Sequence, residues 1–183
     1  VDNFKYVVET NKLMRKDGLF LVAEGKEGKP NTMTIGWGFL GTMWSKPVFV
    51  VAVRHSRYTY KLMEESDSFT VCLPAKGMEE ALSVCGTKSG RDMDKFKKFK
   101  FTAVKSETVD APYIKECPVH FECKVLYKDD LAYDALPESV TSNVYGSKDM
   151  HKLYYAEVTG AYAIEDADNK LTQGTDILAG RPT

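Results

Sequence analysis

Strand-like segments dominate the pattern of apolar and polar positions along this chain. Residues 19–23 (LFLVA) form a short apolar run between Gly18 and Gly25, bounded the way strands usually are. The turn material Gly25-Lys26-Glu27-Gly28-Lys29-Pro30 leads into a second extended segment at 31–40. Residues 47–53 (PVFVVAV) are almost continuously apolar and β-branched, as in a strand covered on both faces. Residues 69–73 predict another strand. At 121–127, Phe121, Cys123, Val125 and Tyr127 alternate with Glu122, Lys124 and Leu126, and 153–164 predicts a long late strand.

Helical spacing is confined to three short stretches. Ser56 is placed to cap a helix from Arg57 to about Glu65, with Tyr58, Leu62 and Met63 along one face. A second helix spans 78–85 and is stopped by Gly86. A third spans 92–99, with Phe96 and Phe99 three residues apart. Several strands, few helices and no regular β-α alternation predict a mainly β fold, a closed or partly closed barrel with helical insertions.

Composition bounds the partners. A length of 183 residues predicts one domain over 1–183, long enough to need no disulfide or metal staple. Hydrophobic residues at 43% and charged residues at 28% exclude a largely disordered chain. A pI near 6.4 argues against a general nucleic-acid binder. No apolar run approaches the roughly 18 residues of a membrane span. Cys72, Cys85, Cys117 and Cys123 form no C-x-x-C and fit no zinc spacing, so reduced thiols in a cytoplasmic protein are expected. The start, Val1-Asp2-Asn3-Phe4, has no initiator Met and no signal-like core, and residues before Val1 are left open.

The net charge of −1 conceals an asymmetry. Residues 1–100 carry 17 basic and 12 acidic side chains, whereas 101–183 carry 8 and 14. Either the placement is chance, or the first half builds an anion site.

Gly36-Trp37-Gly38-Phe39-Leu40-Gly41 satisfies the dinucleotide fingerprint G-x-G-x-x-G, but only formally. That motif works where a strand turns into a helix whose N-terminus receives a pyrophosphate. Pro47 and a β-branched strand follow too closely for a helix. Glycines in an aromatic strand more often mark bulges or a close approach of ligand or backbone.

Two donor-rich segments are better candidates. The 47–53 strand delivers Arg54, His55, Ser56 and Arg57 to the start of a helix, where backbone N–H groups and the dipole favour a phosphate. Arg54 and Arg57 add forked donors, and Ser56 and Thr59 add hydroxyls. About 30 residues on, Cys85-Gly86-Thr87-Lys88-Ser89-Gly90-Arg91-Asp92 combines two glycines with the anion donors Thr87, Lys88, Ser89 and Arg91. The alternatives are a serine cap flanked by surface arginines and a solvent loop capping a helix. The basic stretch Lys95-Phe96-Lys97-Lys98-Phe99-Lys100 is explained by an amphipathic helix with a lysine-coated outer face. His55, His120 and His151 sit in unrelated contexts, and nothing hydrolytic accompanies them. His151 is a candidate site residue, with an inert strand-edge histidine as the alternative. A phosphate site beside aromatic residues suggests a protein that holds a phosphorylated cofactor.

At these residues the chain resembles the flavin reductase-like proteins of the FMN-binding split-barrel superfamily, above all the flavoredoxin-type branch. The match is carried by Asn31-Thr32-Met33-Thr34-Ile35-Gly36-Trp37-Gly38, Lys46-Pro47-Val48-Phe49, Val53-Arg54-His55-Ser56-Arg57-Tyr58-Thr59, and the run from Cys85 through Arg91 to Phe96. Ala111-Pro112, Glu122-Cys123-Lys124-Val125 and the stretch from His151 to Val158 add support. The resemblance implies a six-stranded Greek-key split β-barrel with a few short peripheral helices, homodimeric, with one FMN per subunit near the interface. It implies that the flavin ring lies against Met33, Thr34, Ile35, Gly36 and Trp37. It places the phosphate on Arg54, Ser56, Arg57 and Thr59, with Lys88, Ser89 and Arg91 closing over it, and counts Tyr58 and Thr87 among the cofactor-binding residues. His151 matches a histidine near the flavin that helps place a nicotinamide. Ala156, where many relatives have Gly, and Thr42-Met43, in place of a Trp-rich stretch, depart from the pattern.

The implied function is an oxidoreductase that passes electrons from NADH or NADPH, or from a protein donor, through FMN to a flavin or other small-molecule acceptor. The alternative is a non-catalytic FMN electron carrier working with a redox-protein partner. A flavin-free interaction module is a third possibility that a flavin spectrum would eliminate.

Overall fold

The computed structural model describes residues 1–173; residues 174–183, part of the expected single domain, lie outside them. The chain runs α1 (Val7–Lys16), β1 (Leu19–Glu24), β2 (Pro30–Ile35), β3 (Gly38–Met43), β4 (Lys46–Arg54), α2 (Tyr58–Glu65), β5 (Ser68–Leu73), α3 (Glu79–Thr87) and α4 (Lys95–Phe99). It continues with β6 (Ala103–Val104), β7 (Tyr113–Ile114), β8 (Val119–Asp130), a 3-10 turn at Tyr133–Ala135, α5 (Glu138–Val144), β9 (His151–Ala163) and α6 (Ala167–Lys170).

One antiparallel sheet carries the architecture, in the order β2-β1-β5-β8-β9-β4-β3. Its two edge strands are consecutive in sequence, so the expected strand at 31–40 is in fact bent. Its first half pairs with β1 and its second with β4. Counted once, this bent strand closes six strands into a ring with a seam at Gly36 and Trp37. The seam has a steric cause. Gly38 has φ +147°, and a Cβ there would collide with the Val50 carbonyl, so only glycine fits so close to β4. The Trp37 carbonyl accepts from Ala52 N at 3.2 Å. The formal dinucleotide fingerprint is therefore a barrel corner.

Leu21, Ile35, Phe49, Val51, Phe69, Val71, Phe121 and Tyr154 fill the barrel. A second apolar layer, with Phe20, Val22, Cys72, Leu82, Cys85, Ile114 and Cys117, lies where α3 and α4 cover the other face of β1 and β5. Burial on both faces explains why these strands read as continuous apolar runs. All four cysteines are buried free thiols.

The helices differ most from expectation. Helix α1 is an addition: Thr10, Leu13 and Met14 are its buried residues, and Asn11 exchanges hydrogen bonds with the backbone of Leu40. Gly86 does not stop α3, which runs on to Thr87. Ser56 does not cap α2. The capping position is Arg57, with extended backbone, and no side chain caps it. Helix α4 starts at Lys95 rather than near 92, because the Asp94 carboxylate accepts from Lys97 N at 3.0 Å. That bond, and Lys29 beside it, hold the Asp94 carboxyl below its usual range.

Candidate functional site: an anion pocket and a histidine corner

The two donor-rich segments meet. A pocket of about 90 Å³ is lined by Ser56, Arg57, Tyr58 and Thr59 from the start of α2, and by Lys88, Ser89, Gly90 and Arg91 from the loop after α3. Asn31 and Met33 of β2, Cys85 and Gly86 of α3, and Lys95 of α4 complete the wall. Gly90 is fixed by this packing, since a Cβ would collide with the Asn31 side-chain oxygen and the Tyr58 ring. Asn31 Nδ2 donates to the buried Thr59 hydroxyl at 2.8 Å. Arg91 donates to Ser56 O at 3.1 Å and lies 5.5 Å over the Tyr58 ring.

Four cations, Arg57, Lys88, Arg91 and Lys95, face this space, and none of the lining residues is acidic. Lys97, Lys98 and Lys100 form the expected exposed lysine face, and Lys95 is the exception to it. It is 3% exposed, and its ammonium donates to Thr32 O at 2.8 Å and Cys85 O at 2.9 Å. Burial, helped by repulsion from Arg57, holds its pKa below normal against the pull of Cys85. Burial also pushes the Cys85 thiol up to about 11. A buried ammonium with no carboxylate partner is costly unless an anion joins it.

The expected ligands divide. Ser56, Arg57, Tyr58, Thr59, Lys88, Ser89, Arg91 and Met33 line the pocket. Arg54 does not. It donates to Asp149 O at 2.6 Å and Val144 O at 3.2 Å, because β4 carries it past the pocket to the chain that enters β9. Thr87 is also turned away, its hydroxyl donating to Ser83 O at 2.9 Å in its own helix. Thr34 donates to Leu82 O at 2.6 Å and ties β2 to α3. Ile35 is in the barrel core, and Gly36 leads into the seam.

Trp37, 41% exposed, lies instead beside His151, their rings 4.6 Å apart and tilted 37°. His151 opens β9 in register with Arg54. Its Nδ1 lies 2.8 Å from the Tyr145 hydroxyl. Burial first, then the Arg54 guanidinium, bring its pKa down to about 4, against the pull of Asp149. The imidazole is therefore neutral near pH 7. The Asp149 carboxylate accepts from Ser56 N at 3.2 Å and Ser56 Oγ at 2.6 Å. Ser56 thus joins the corner to the pocket.

Four residues of this arrangement were missed from sequence: Asn31, Lys95, Tyr145 and Asp149. Lys95 was detectable, because Asp94 is a good N-cap and fixes where α4 begins. The others depend on long-range pairing that no local pattern announces.

Residues 15–176 match the flavin reductase like domain family. The chain belongs to that family. A protein of Archaeoglobus fulgidus is 37% identical over 107 residues, which are 58% of this chain and 59% of that one. One of Pyrococcus abyssi is 30% identical over 119 residues, 64% and 67% of the two chains. The match thus spans about three fifths to two thirds of these relatives. Among solved structures, the flavoredoxin of Methanosarcina acetivorans is 29% identical with a TM-score of 0.65, over 86% of this chain and 74% of that one. The flavoredoxin of Desulfovibrio vulgaris (Miyazaki F) has a TM-score of 0.66 at 23% identity, over 91% and 79%. A putative flavin reductase with a split barrel domain from Shewanella frigidimarina has a TM-score of 0.66 at 15% identity, over 97% and 81%. The fold is a split barrel, mostly antiparallel β with several short helices.

Proposed function

We propose that this flavin reductase-like protein binds FMN, with the phosphate in the pocket of Arg57, Lys88, Ser89, Arg91 and Lys95. The carrying observation is the wall of four cations with no carboxylate among them. Its size suits a phosphate group, and glycine at 90 lets Asn31 and Tyr58 close in. Lys95 supplies fixed charge from below, Arg57 and Arg91 forked donors, and Ser89 and Thr59 hydroxyls. Trp37 and His151 offer an aromatic face and a polar ring nitrogen for the rest of the cofactor. Bound FMN would supply the electron acceptance and release that no side chain here can perform.

The partner half of the proposal is a second copy of the chain. Phe39, Val50, Tyr155 and Tyr127 form one cross-strand row on the outer face of β3, β4, β9 and β8. Phe39 is 52% exposed and Tyr127 49%. Met43, 41% exposed, and Trp44, 51% exposed, extend the patch. An aromatic face of this kind is characteristic of an interface.

The electrons come from NADH or NADPH, or from a protein donor, and pass to a flavin or other small molecule in the cytoplasm. A pure electron carrier is the second reading, favoured by the likeness to two flavoredoxins. Titration with FMN and riboflavin tests the cofactor: FMN binds more tightly, and Arg57→Ala weakens FMN by roughly 1–3 kcal/mol while leaving riboflavin unchanged. Equal binding of the two flavins would sink the phosphate assignment. Anaerobic reduction by NADH, NADPH and reduced ferredoxin in parallel then separates reductase from carrier.

A further inference from the structure

Tyr145 has no part in the anion pocket, yet it is 2% exposed and its hydroxyl lies 2.8 Å from His151 Nδ1. Among the described residues, that nitrogen is the one hydrogen-bond partner of the hydroxyl. A buried phenol is left with an unspent proton if it merely accepts, whereas donation to Nδ1 satisfies it. The phenol is itself kept protonated, since burial raises its pKa. Nδ1 must then be the bare nitrogen and Nε2 must carry the proton. His151 Nε2 makes no hydrogen bond to any described residue, and it is not among the fully buried atoms that lack a partner. It belongs to a ring that is itself 7% exposed and lies against the exposed Trp37.

The surroundings keep the ring neutral. Arg54 comes from the end of β4, lies 5.3 Å over the Tyr145 ring, and sits in register with His151. Arg57 and His55, from the turn that follows, also disfavour an added positive charge, while Asp149 opposes them. Arg54 spends its own donors on Val144 O and Asp149 O, the two ends of the segment that carries Tyr145. The guanidinium therefore both anchors Tyr145 and opposes an imidazolium.

We propose that Tyr145 is a positioning residue that locks His151 in the neutral Nε2–H form, so that His151 offers a hydrogen-bond donor beside Trp37 and not an acid. The group it meets is an acceptor on a planar redox ligand, a carbonyl oxygen or an unprotonated ring nitrogen. Only that last identification rests on the proposed flavin function. The donor stays available at every pH where His151 is neutral, and it contributes no ionisation to a rate profile near neutrality.

The test uses the whole chain labelled with ¹⁵N and long-range histidine NMR, with no flavin added. In wild type, His151 should show a bare Nδ1 and a protonated Nε2 from pH 6 to 8. Tyr145→Phe keeps the ring and its burial but removes the bond to the neutral imidazole. It should raise the His151 pKa by roughly half to one unit and let the second tautomer appear. A protonated Nδ1 in wild type overturns the proposal, as does a fall or no change in the pKa of the variant. Should the variant not fold, the wild-type spectrum decides alone. Adding FMN or oxidised nicotinamide afterwards should shift the Nε2 resonance. If neither does while the tautomer is as stated, the flavin function fails and the role of Tyr145 stands.

Discussion

Two histidines in this molecule are almost equally buried, His120 at 8% and His151 at 7% exposed, and both have their pKa brought down to about 4. Their neighbourhoods differ. His120 is stacked between Tyr113, at 3.7 Å and 6°, and Tyr162, at 5.0 Å and 15°. Its Nε2 faces the Glu122 carboxylate at 3.6 Å. Glu122 in turn accepts from Glu107 N, Thr108 N and the Thr108 hydroxyl at 2.6–2.9 Å, pinning the loop before β7. His151 has an aromatic ring beside it too, but that ring, Trp37, is 41% exposed, and no carboxylate among the described residues pairs with the imidazole. Burial and a displaced pKa therefore do not mark a site by themselves. An imidazole free of a carboxylate and set against an exposed ring does.

The largest expected effect is common to both histidines. Their folded pKa values lie below the ordinary value of about 6.5, so the unfolded chain binds more protons between about pH 6.5 and 4. Stability is complete above that window and falls as pH drops through it, by roughly 2–4 kcal/mol for each histidine at the acid end. Denaturant titrations at pH 7, 5.5 and 4.5 measure this. His120→Phe and His151→Phe should each remove a comparable share of the acid loss. Only the second should alter flavin binding, and the reverse pattern would break the distinction.

Glu122→Ala comes next. It leaves two half-buried backbone N–H groups and the Thr108 hydroxyl without the acceptor they share, at a cost of about 2–4 kcal/mol. Chemical denaturation at pH 7 should show this loss, with FMN affinity per folded molecule unchanged. A variant that lost flavin affinity without losing stability would move the site to His120.

The same contrast shows what the sequence could reveal. Most donors of the anion pocket were legible, because Ser56, Arg57, Thr59, Lys88, Ser89 and Arg91 come in two local clusters, each beside a recognisable strand or helix end. The strands were legible for the same reason: β4 and β5 carry their burial in their own composition. The histidine corner was only half legible. His151 stood out, but Tyr145 follows directly on α5, whose sequence ESVTSNV has no apolar stripe. Asp149 reaches Ser56 only because the sheet sets Arg54 opposite His151. Arg54 was assigned to the phosphate by its neighbours in sequence, and the register sent it elsewhere. Lys95 failed differently. A lysine beside phenylalanines on a short helix reads as a solvated face, and only the Asp94 cap and the carbonyls of Thr32 and Cys85 turn it inward.

Lys95→Gln sharpens the division within the site. Glutamine keeps donors for the two carbonyls and removes the charge, so the fold should survive. FMN affinity should fall by about 1–2 kcal/mol, the value of a charge-assisted bond, while riboflavin is unaffected. Isothermal titration with both flavins reads this directly, and an equal loss for the two would mean that Lys95 serves only the fold.

The smallest effect on stability belongs to Trp37, and it is informative because it should be small. The side chain is 41% exposed, and the contribution of this residue to the corner comes from its carbonyl, which accepts from Ala52 N and survives any substitution. Trp37→Leu should therefore change stability by no more than about 0.5 kcal/mol. Tyr113→Leu, which unstacks His120, should cost about 1–2 kcal/mol. Flavin binding should order them the opposite way. Trp37→Leu should weaken FMN and riboflavin alike, since an aromatic face is indifferent to the phosphate, and Tyr113→Leu should weaken neither. If the two substitutions proved equally destabilising, Trp37 would be packing for His151 as Tyr113 is for His120, and the corner would lose its claim to be a site.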